Sequence, residues 1–447
     1  MNVNSSIFKA YDIRGLCPGD IDAELAYAIG RGVMATVVGK HKNRTVIVGR
    51  DARPTSPDIA KELVRGLRDG GADVIDIGMA TTPLFYFSVI HVNAVSGVMV
   101  TASHNPAQYN GFKIVKEGAV AIGLDSGLGI LRDFIQKGEF GVVAAESSLT
   151  QKDFSDTYID RVTNGAKIRK FKIAIDAGNG MAGILLPRAL GRLGIEARSL
   201  YVEPDGTFPN HEANPLKEET LVDLQKLMKE HPVDFGIAFD GDADRIRFLL
   251  ADGTPIPGDI LLALLAKEYL LKYEGAAVVY AVNCSRIVPE MIKQCGGVPV
   301  RWKIGATLAK AKMREENAIL GGEISTHYFY REMGTVESTM LTLRRVCEIL
   351  TQRNMTLAEA IKQFTKYPKT PEINFEIADK DAALKRLGAH FADAKLDTLD
   401  GLTIEYPKWW VNIRASNTEP LLRLNLEAET KELLEEKLAE VRRIILE

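Results

Sequence analysis

The sequence predicts an α/β protein: three tandem, related α/β domains with mixed sheets, followed by a smaller C-terminal α+β domain. Short β-branched runs alternate with helical stretches as far as Pro371, and that alternation favours sheets with much parallel pairing. One outline, an apolar run ending in a turn of glycine, aspartate or asparagine, recurs at Val46–Asp51, Lys172–Gly180, Asp234–Asp242 and Ala277–Asn283. It points to repeated units. Beyond Pro371 the texture changes to short strands, Ile373–Ile377, Leu402–Tyr406, Trp409–Arg414 and Leu421–Glu427, around one helix and before a charged C-terminal helix, Lys431–Leu446.

At 447 residues the chain exceeds what one hydrophobic core supports. Polar or Gly/Pro-punctuated joints at Gly138–Gln151, Ala251–Gly258 and Tyr367–Pro371 divide it into 1–150, 151–251, 252–368 and 369–447. A composition of 46% hydrophobic and 26% charged residues is ordinary for a globular protein. With 56 basic against 59 acidic residues the net charge is -3, which leaves no general footprint for nucleic acid or an anionic membrane. The four cysteines, Cys17, Cys284, Cys295 and Cys347, form no Cys-x-x-Cys pair, as expected of reduced thiols rather than a zinc site or disulfide framework. Met1–Arg14 has no signal-peptide pattern, and the longest apolar run, Ile260–Ala266, is too short to span a bilayer. A cytoplasmic protein, monomer or homodimer, is the expectation.

The first domain can be read element by element. Phe8–Gly15 reads as an edge strand running into a loop. Its Arg14 is either a solvated surface group or, with its planar guanidinium, a phosphate ligand. Ile21–Val38 has a helical pattern, and Thr45–Asp51 is a strand entering a glycine turn. Ser56–Asp69 is a helix with Ser56 as N-cap and Pro57 at the first helical position. Asp73–Gly78 is a further strand. Val98–Thr101 is a buried one, and Asn105-Pro106 signals a turn. Ser103 therefore sits where a strand opens into a loop. A serine there either caps the turn or meets a substrate, because loops on a rigid scaffold are where chemistry is placed.

Three further clusters keep Ser103 company. Asp240-Gly-Asp-Ala-Asp-Arg245 puts three carboxylates, spaced by two, directly after an apolar run. Such a cluster is either a solvated acidic turn or a site for a hard cation such as Mg²⁺. An EF-hand is excluded: counted from Asp240, Arg245 stands where glycine is needed and Ala251 where glutamate is needed. Asp240-x-Asp242 also resembles the aspartate pair of haloacid-dehalogenase-type phosphatases, whose first aspartate is the nucleophile. Gly321–Tyr328 presents Glu323, Ser325 and His327 at alternate positions, which in an extended loop share one side and suit the vicinal hydroxyls of a sugar. Arg414–Pro420, with Arg423 nearby, joins an arginine to short polar side chains. It is either an ordinary turn or an anion nest.

Taken together and in this order, these motifs resemble the α-D-phosphohexomutase family, specifically its bacterial phosphomannomutase/phosphoglucomutase branch. The likeness rests on Thr101–Pro106, Asp240–Arg245, Gly322–His327 and Arg414–Pro420, with Tyr11–Gly15 and Asn110–Lys113 in support. It implies four domains around a central cleft. Ser103 would be the phosphoserine and, with Asp240, Asp242 and Asp244, a ligand of Mg²⁺. Tyr11, Arg14, His104, Lys113 and Arg245 would surround the transferring phosphoryl group. Lys303, Glu323, Ser325 and His327 would face the sugar, and Arg414, Ser416, Asn417, Thr418 and Arg423 the phosphate that is not reacting. The implied reaction interconverts hexose 1-phosphate and hexose 6-phosphate through a hexose 1,6-bisphosphate, which also serves as activator.

The implied assignment is physically coherent. Phosphoryl transfer needs positioning and charge neutralisation more than covalent help. A phosphoserine brings about -1.5 to -2 charges to a place already holding three aspartates, so Arg14, Lys113 and Arg245 are needed beside one divalent ion. Several positions depart from the branch. Thr326 replaces its usual glycine or alanine and Ile324 its usual methionine. Trp302-Lys-Ile-Gly-Ala306 lacks the histidine of the corresponding Trp-Lys-Thr-Gly-His loop, and Asn283 stands where a lysine is frequent. These bear on sugar preference: mannose and glucose are expected, with phosphoglucosamine mutase, whose sugar loop usually reads Glu-Gln-Ser, as the nearer rival. A phosphatase built on Asp240 and a non-catalytic sugar-phosphate sensor are the rivals of other classes.

Overall fold

The β-branched runs before residue 251 fold into two mixed sheets whose central strands are buried on both faces. In the computed structural model, which describes residues 3–377, 379–415 and 421–447, these sheets belong to a unit made of Met1–Ile256 and Ser325–Ala358. The first sheet runs Ile13–Leu16, Tyr109–Lys116, Ser96–Val100, Thr45–Arg50, Asp73–Met79 and Ser148–Gln151. From Ser96–Val100 through Thr45–Arg50 and Asp73–Met79 to Ser148–Gln151 the pairing is parallel. Tyr109–Lys116 returns antiparallel, and Ile13–Leu16 closes that edge.

The second sheet repeats this plan. Phe235–Phe239 runs parallel to Lys172–Asp176, which is parallel to Glu196–Leu200, and Ile246–Leu250 returns antiparallel. In both sheets a fully buried strand, Ser96–Val100 or Phe235–Phe239, ends in a loop and turns back on itself. Lys172–Asp176 thus holds the place of Thr45–Arg50, and Phe235–Phe239 that of the serine strand Ser96–Val100.

Several local expectations are corrected. Thr55, not Ser56, is the N-cap residue of helix Ser56–Asp69, because the Ser56 hydroxyl is drawn 2.5 Å to Asp51 Oδ1 instead. The strand near the N-terminus is Ile13–Leu16, so Arg14 and Gly15 lie within it rather than in a loop beyond it. The helix expected from Ile21 is α-helical over Ala23–Val33, where the Asp22 side chain accepts from Leu25 N–H, and continues as a π-helical turn over Met34–Val38. This unit is completed by the antiparallel pair Tyr328–Tyr330 and Val336–Glu337 and by helix Thr339–Arg353.

The second unit, Pro257–Ile324 with Glu359–Glu447, holds the parallel strands Val298–Trp302, Ala277–Ala281 and Leu320–Gly322. Its apolar run lies inside helix Gly258–Lys272, buried nearly all round as a core helix is. The C-terminal sheet is antiparallel, in the order Ile373–Glu376, Leu421–Ala428, Trp409–Ala415, Leu402–Glu405 and Lys395–Asp397; the last strand went unrecognised in the sequence. One face packs Val411, Ile413, Leu422, Leu424 and Leu426 against helices Lys380–His390 and Lys431–Leu446. The alternate residues on the opposite face, among them Asn412, Arg414, Asn425 and Glu427, are polar yet buried. Among the described residues no helix is long and apolar enough to cross a membrane.

Helices Ala23–Val33 and Ser56–Asp69 meet through glycines. A Cβ on Gly66 would lie 2.1 Å from Tyr27 O, and one on Gly30 2.4 Å from Leu63 O. Gly66→Ala is therefore expected to destabilise the chain by about 1–3 kcal/mol, the usual cost of overpacking, although alanine favours a helix over glycine. A urea-unfolding midpoint at or above that of the wild type contradicts this.

Candidate active site

Ser103 lies just past the end of its buried strand in a backbone conformation that L-residues seldom adopt, φ +53°. Its N–H donates to Thr101 Oγ1 at 2.9 Å, and its hydroxyl donates to Asp240 Oδ2 at 3.0 Å. His104 Nδ1 is 3.2 Å from the same Oγ. The two hairpin loops can approach because residue 241 is glycine: a Cβ there would stand 2.5 Å from Ser103 O. Gly180 backs the acidic loop in the same way, its missing Cβ falling 2.8 Å from Gly241 O.

Asp240, Asp242 and Asp244 are buried, and one oxygen from each lies within 4.8 Å of the others. Ala243, at φ +58°, turns the chain between the last two. Lys113, from the return strand of the serine hairpin, donates to Asp242 Oδ2 and Asp244 Oδ2, both at 2.6 Å. Thr82 Oγ1 also donates to Asp242 Oδ2 at 2.6 Å. Arg245 donates its N–H to Asp240 Oδ1 at 3.1 Å, and its Nε is 3.6 Å from Asp240 Oδ2. His327 Nε2 lies 3.2 Å from Asp244 Oδ1 and 3.3 Å from Arg245 Nε, while Ser325 Oγ is 2.9 Å from His327 Nδ1.

The electrostatics follow from this crowding. Burial, and then the charges of Asp244 and Asp242, push the Asp240 carboxyl well above the usual range. Burial also opposes ionisation of Asp244, but Lys113 and His327 outweigh it and hold that carboxyl well below the usual range. Lys113 is buried too, yet Asp242 and Asp244 more than compensate and hold its ammonium. Burial, followed by Arg245 and Arg14, keeps His104 well below the ordinary histidine value, so its imidazole is neutral at neutral pH. Asp242 Oδ1 is buried and has no hydrogen-bond partner. Three converging carboxylates with an oxygen to spare fit a hard, oxygen-seeking cation.

Other expected residues fall around this centre or elsewhere. Arg14 Nη1 donates to Asn105 Oδ1 at 2.6 Å and pairs with Asp12, while its buried Nε has no partner. Tyr11 is half-buried just before Asp12. The stretch around Ser325 and His327 is not the extended segment expected from alternation. Thr326 takes φ +66°, so the period of two is broken by a turn. In the second unit, Glu323 Oε1 accepts from Gly305 N–H at 2.7 Å, and Lys303 is exposed. Arg414 and Arg423 face each other across two strands and share Glu372, at 3.4 Å and 3.2 Å. Asn283 Nδ2 donates to Asn425 Oδ1 at 3.3 Å. Ser416, Asn417 and Thr418 lie outside the described residues.

Arg53 and Thr82 went unnoticed in the sequence. Thr82 is the second residue of a Thr-Thr-Pro helix start, which signals a cap rather than a partner for a distant aspartate. A cavity of about 630 Å³ beside Phe87, His91 and Leu341 contains none of these groups. Its arginines are already engaged: Arg161 with Glu332 O, Arg344 with Glu348, Arg345 with both glutamates.

Comparisons with known proteins extend along the chain. Residues 5–139, 156–253 and 257–367 match, in order, the families described as phosphoglucomutase/phosphomannomutase alpha/beta/alpha domains I, II and III, and residues 372–444 match the corresponding C-terminal domain. The chain is 40% identical over 430 residues to the phosphohexose mutases protein of Xanthomonas campestris pv. campestris, covering 94% of each. It is 39% identical over 437 residues to the phosphomannomutase/phosphoglucomutase of Pseudomonas aeruginosa, covering 96% of this chain and 93% of that one. The crystal structure of a phosphoglucomutase/phosphomannomutase family protein from Burkholderia thailandensis has a TM-score of 0.92 at 35% identity, covering 99% of this chain and 98% of that one.

Removing the cation that the fold itself supplies exposes the charge problem. Lys113→Met removes the one ammonium that pairs with both Asp242 and Asp244 and leaves Asp244 only His327 close by, which is expected to cost about 3–5 kcal/mol when divalent ions are chelated. Magnesium should then raise the variant's unfolding midpoint more than the wild type's, since a ligand that binds only the folded state stabilises it. Thermal unfolding in EDTA and in Mg²⁺ checks this; equal magnesium shifts in the two proteins defeat it.

Proposed function

The chain belongs to the phosphoglucomutase/phosphomannomutase family, and we propose that it interconverts the 1- and 6-phosphates of mannose or glucose through a phosphorylated Ser103. The observation that carries this reading is the 3.0 Å hydrogen bond from Ser103 Oγ to the three-carboxylate cluster. A nucleophile that must give up and regain a phosphoryl group needs charge neutralisation at that oxygen above all. Mg²⁺ is the ion that best suits the donor set, with Ser103, Asp240, Asp242 and Asp244 as its holders. When bound, it neutralises charge on the transferring group.

The chain's own residues do the rest. Arg14, Lys113 and Arg245 bring positive charge to the phosphoryl oxygens, and Arg14 Nε has a donor still unspent. In the forward transfer the Oγ–P bond of phosphoserine breaks as a free sugar hydroxyl oxygen bonds to phosphorus. The proton from that hydroxyl ends on Ser103 Oγ. In the return transfer Oγ loses its proton again, and Asp240 Oδ2 and His104 Nδ1 are the acceptors within reach. The neutral His104 imidazole suits that task. The far phosphate falls to Arg414, Arg423 and the loop of Ser416, Asn417 and Thr418. The sugar falls to Lys303, Glu323, Ser325 and His327, and Tyr11 flanks the reacting end. A hexose 1,6-bisphosphate is the intermediate and the activator that primes Ser103.

A phosphatase acting through Asp240 is disfavoured, because the relatives that match along nearly the whole chain are named as mutases. Phosphorus NMR of mannose 1-phosphate or glucose 1-phosphate, with Mg²⁺ and a trace of the bisphosphate, should show the 6-phosphate appear. Ser103→Ala should slow it by at least about 10³-fold, the scale of losing a covalent nucleophile. Undiminished product from Ser103→Ala, or release of inorganic phosphate that needs Asp240 and not Ser103, overturns the proposal.

A further inference from the structure

Arg53 touches none of the groups assigned a part in the reaction through its side chain, yet its whole hydrogen-bonding capacity is spent on the serine loop and its support. A guanidinium has five N–H donors in a rigid fork. Here Nη2 donates to Ser103 O at 3.0 Å and Asn105 O at 2.6 Å, and Nη1 to Pro106 O at 2.6 Å and Tyr109 O at 3.0 Å. Nε donates to Asp51 Oδ2 at 3.0 Å. Asp51 is fixed in turn by Arg53 N–H and the Ser56 hydroxyl. The side chain is buried to 1% exposure, with one face 5.1 Å from the ring centre of Phe208. Behind it, a Cβ on Gly206 would fall 2.2 Å from Arg53 Cα.

We propose that Arg53 is the positioning residue of the serine loop, gathering four of its carbonyls on one guanidinium so that Ser103 keeps the orientation from which Oγ exchanges its phosphoryl group. The proposal rests on the reading of Ser103 as the phosphoryl carrier. Ser103 is held at both peptide ends, its N–H by Thr101 Oγ1 and its carbonyl by Arg53. With φ at +53° the residue does not stay there unaided. Oγ must meet phosphorus in line, and a displacement of about 1 Å costs on the order of 10²-fold in rate. The Phe208 ring, 3.4 Å from where a Gly241 Cβ would stand, ties the same arginine to the acidic loop. The clamp thereby sets one loop against the other. Asn105, whose carbonyl Arg53 holds, also carries the side chain that receives Arg14.

The test is Arg53→Lys, which keeps the positive charge and loses the fork. Its kcat should fall about 10²-fold with the KM for the hexose phosphate within about twofold of the wild type. Hydrogen exchange should speed up at least about tenfold in the amides of residues 101–109 and stay unchanged in strand Thr45–Arg50. Phe208→Leu, which leaves the arginine but removes the ring beneath it, should give the same pattern at smaller amplitude. It decides the matter if Arg53→Lys does not fold. A lysine that restores kcat, exchange at 101–109 unaltered, or protection lost evenly across the first sheet each overturns the role of Arg53. A wild-type chain inactive on every hexose phosphate instead overturns the reading of Ser103, and the exchange comparison still judges the clamp.

Discussion

Three carboxylates buried within 4.8 Å of one another cannot all remain ionised unless positive charge is brought between them. Two unit charges about 4 Å apart repel by several kcal/mol even at an effective dielectric near 20. The fold meets this with one lysine and a set of N–H and O–H donors drawn from separate elements. Lys113 comes from the serine hairpin, Thr82 from the helix after Asp73–Met79, Arg245 from the acidic loop itself, and His327 from beyond residue 325. Charge balance therefore joins the first sheet to the second. Drawing the serine loop away from the acidic loop would strand Lys113 as well as the aspartates.

The same constraint explains where the chemistry sits in the chain. Both loops connect a buried parallel strand to an antiparallel return strand, so each emerges at the end of a rigid core element. Each also carries a non-glycine residue in the left-handed region, Ser103 at +53° and Ala243 at +58°, as does the turn before His327, with Thr326 at +66°. Strain of that kind persists only where surrounding contacts over-determine the backbone. Here they do. Ser103 is pinned by Thr101 and Arg53, Ala243 O accepts from Thr339 Oγ1 at 3.0 Å, and Thr326 O accepts from Ile246 N–H at 3.3 Å.

Much of this could be read in the residues. The α/β alternation, the change of texture after Pro371, the buried strand before Ser103 and the acidic loop after Phe239 all follow from local pattern, and their consequences are local. The N-cap at Thr55 does not. Ser56 has the right chemistry for a cap, but Asp51, five residues earlier in sequence, competes for its hydroxyl. Thr82 escaped because its partner is 160 residues away. The short strand Lys395–Asp397 is mostly polar and leaves no apolar alternation to recognise. Arg53 is the most instructive omission. A lone arginine in a Asp-Ala-Arg-Pro turn has no periodicity, and its meaning lies entirely in carbonyls that only the folded loop turns towards it.

Burying an arginine is a poor way to gain stability, since apolar replacements of similar shape are often neutral or better. That alternative is closed at Arg53. An apolar side chain would take the guanidinium donors from the carbonyls of Ser103, Asn105 and Tyr109 and leave Pro106 O only the N–H of Tyr109, and a buried orphan such as Ser103 O costs about 1–3 kcal/mol. The loop could relieve that cost only by turning its carbonyls to water, which means abandoning the backbone path that aims Oγ at Asp240. Arginine and loop conformation are thus mutually obligatory. The buried charge that neutralises nothing in the reaction is what makes the reactive hydroxyl's direction a property of the fold.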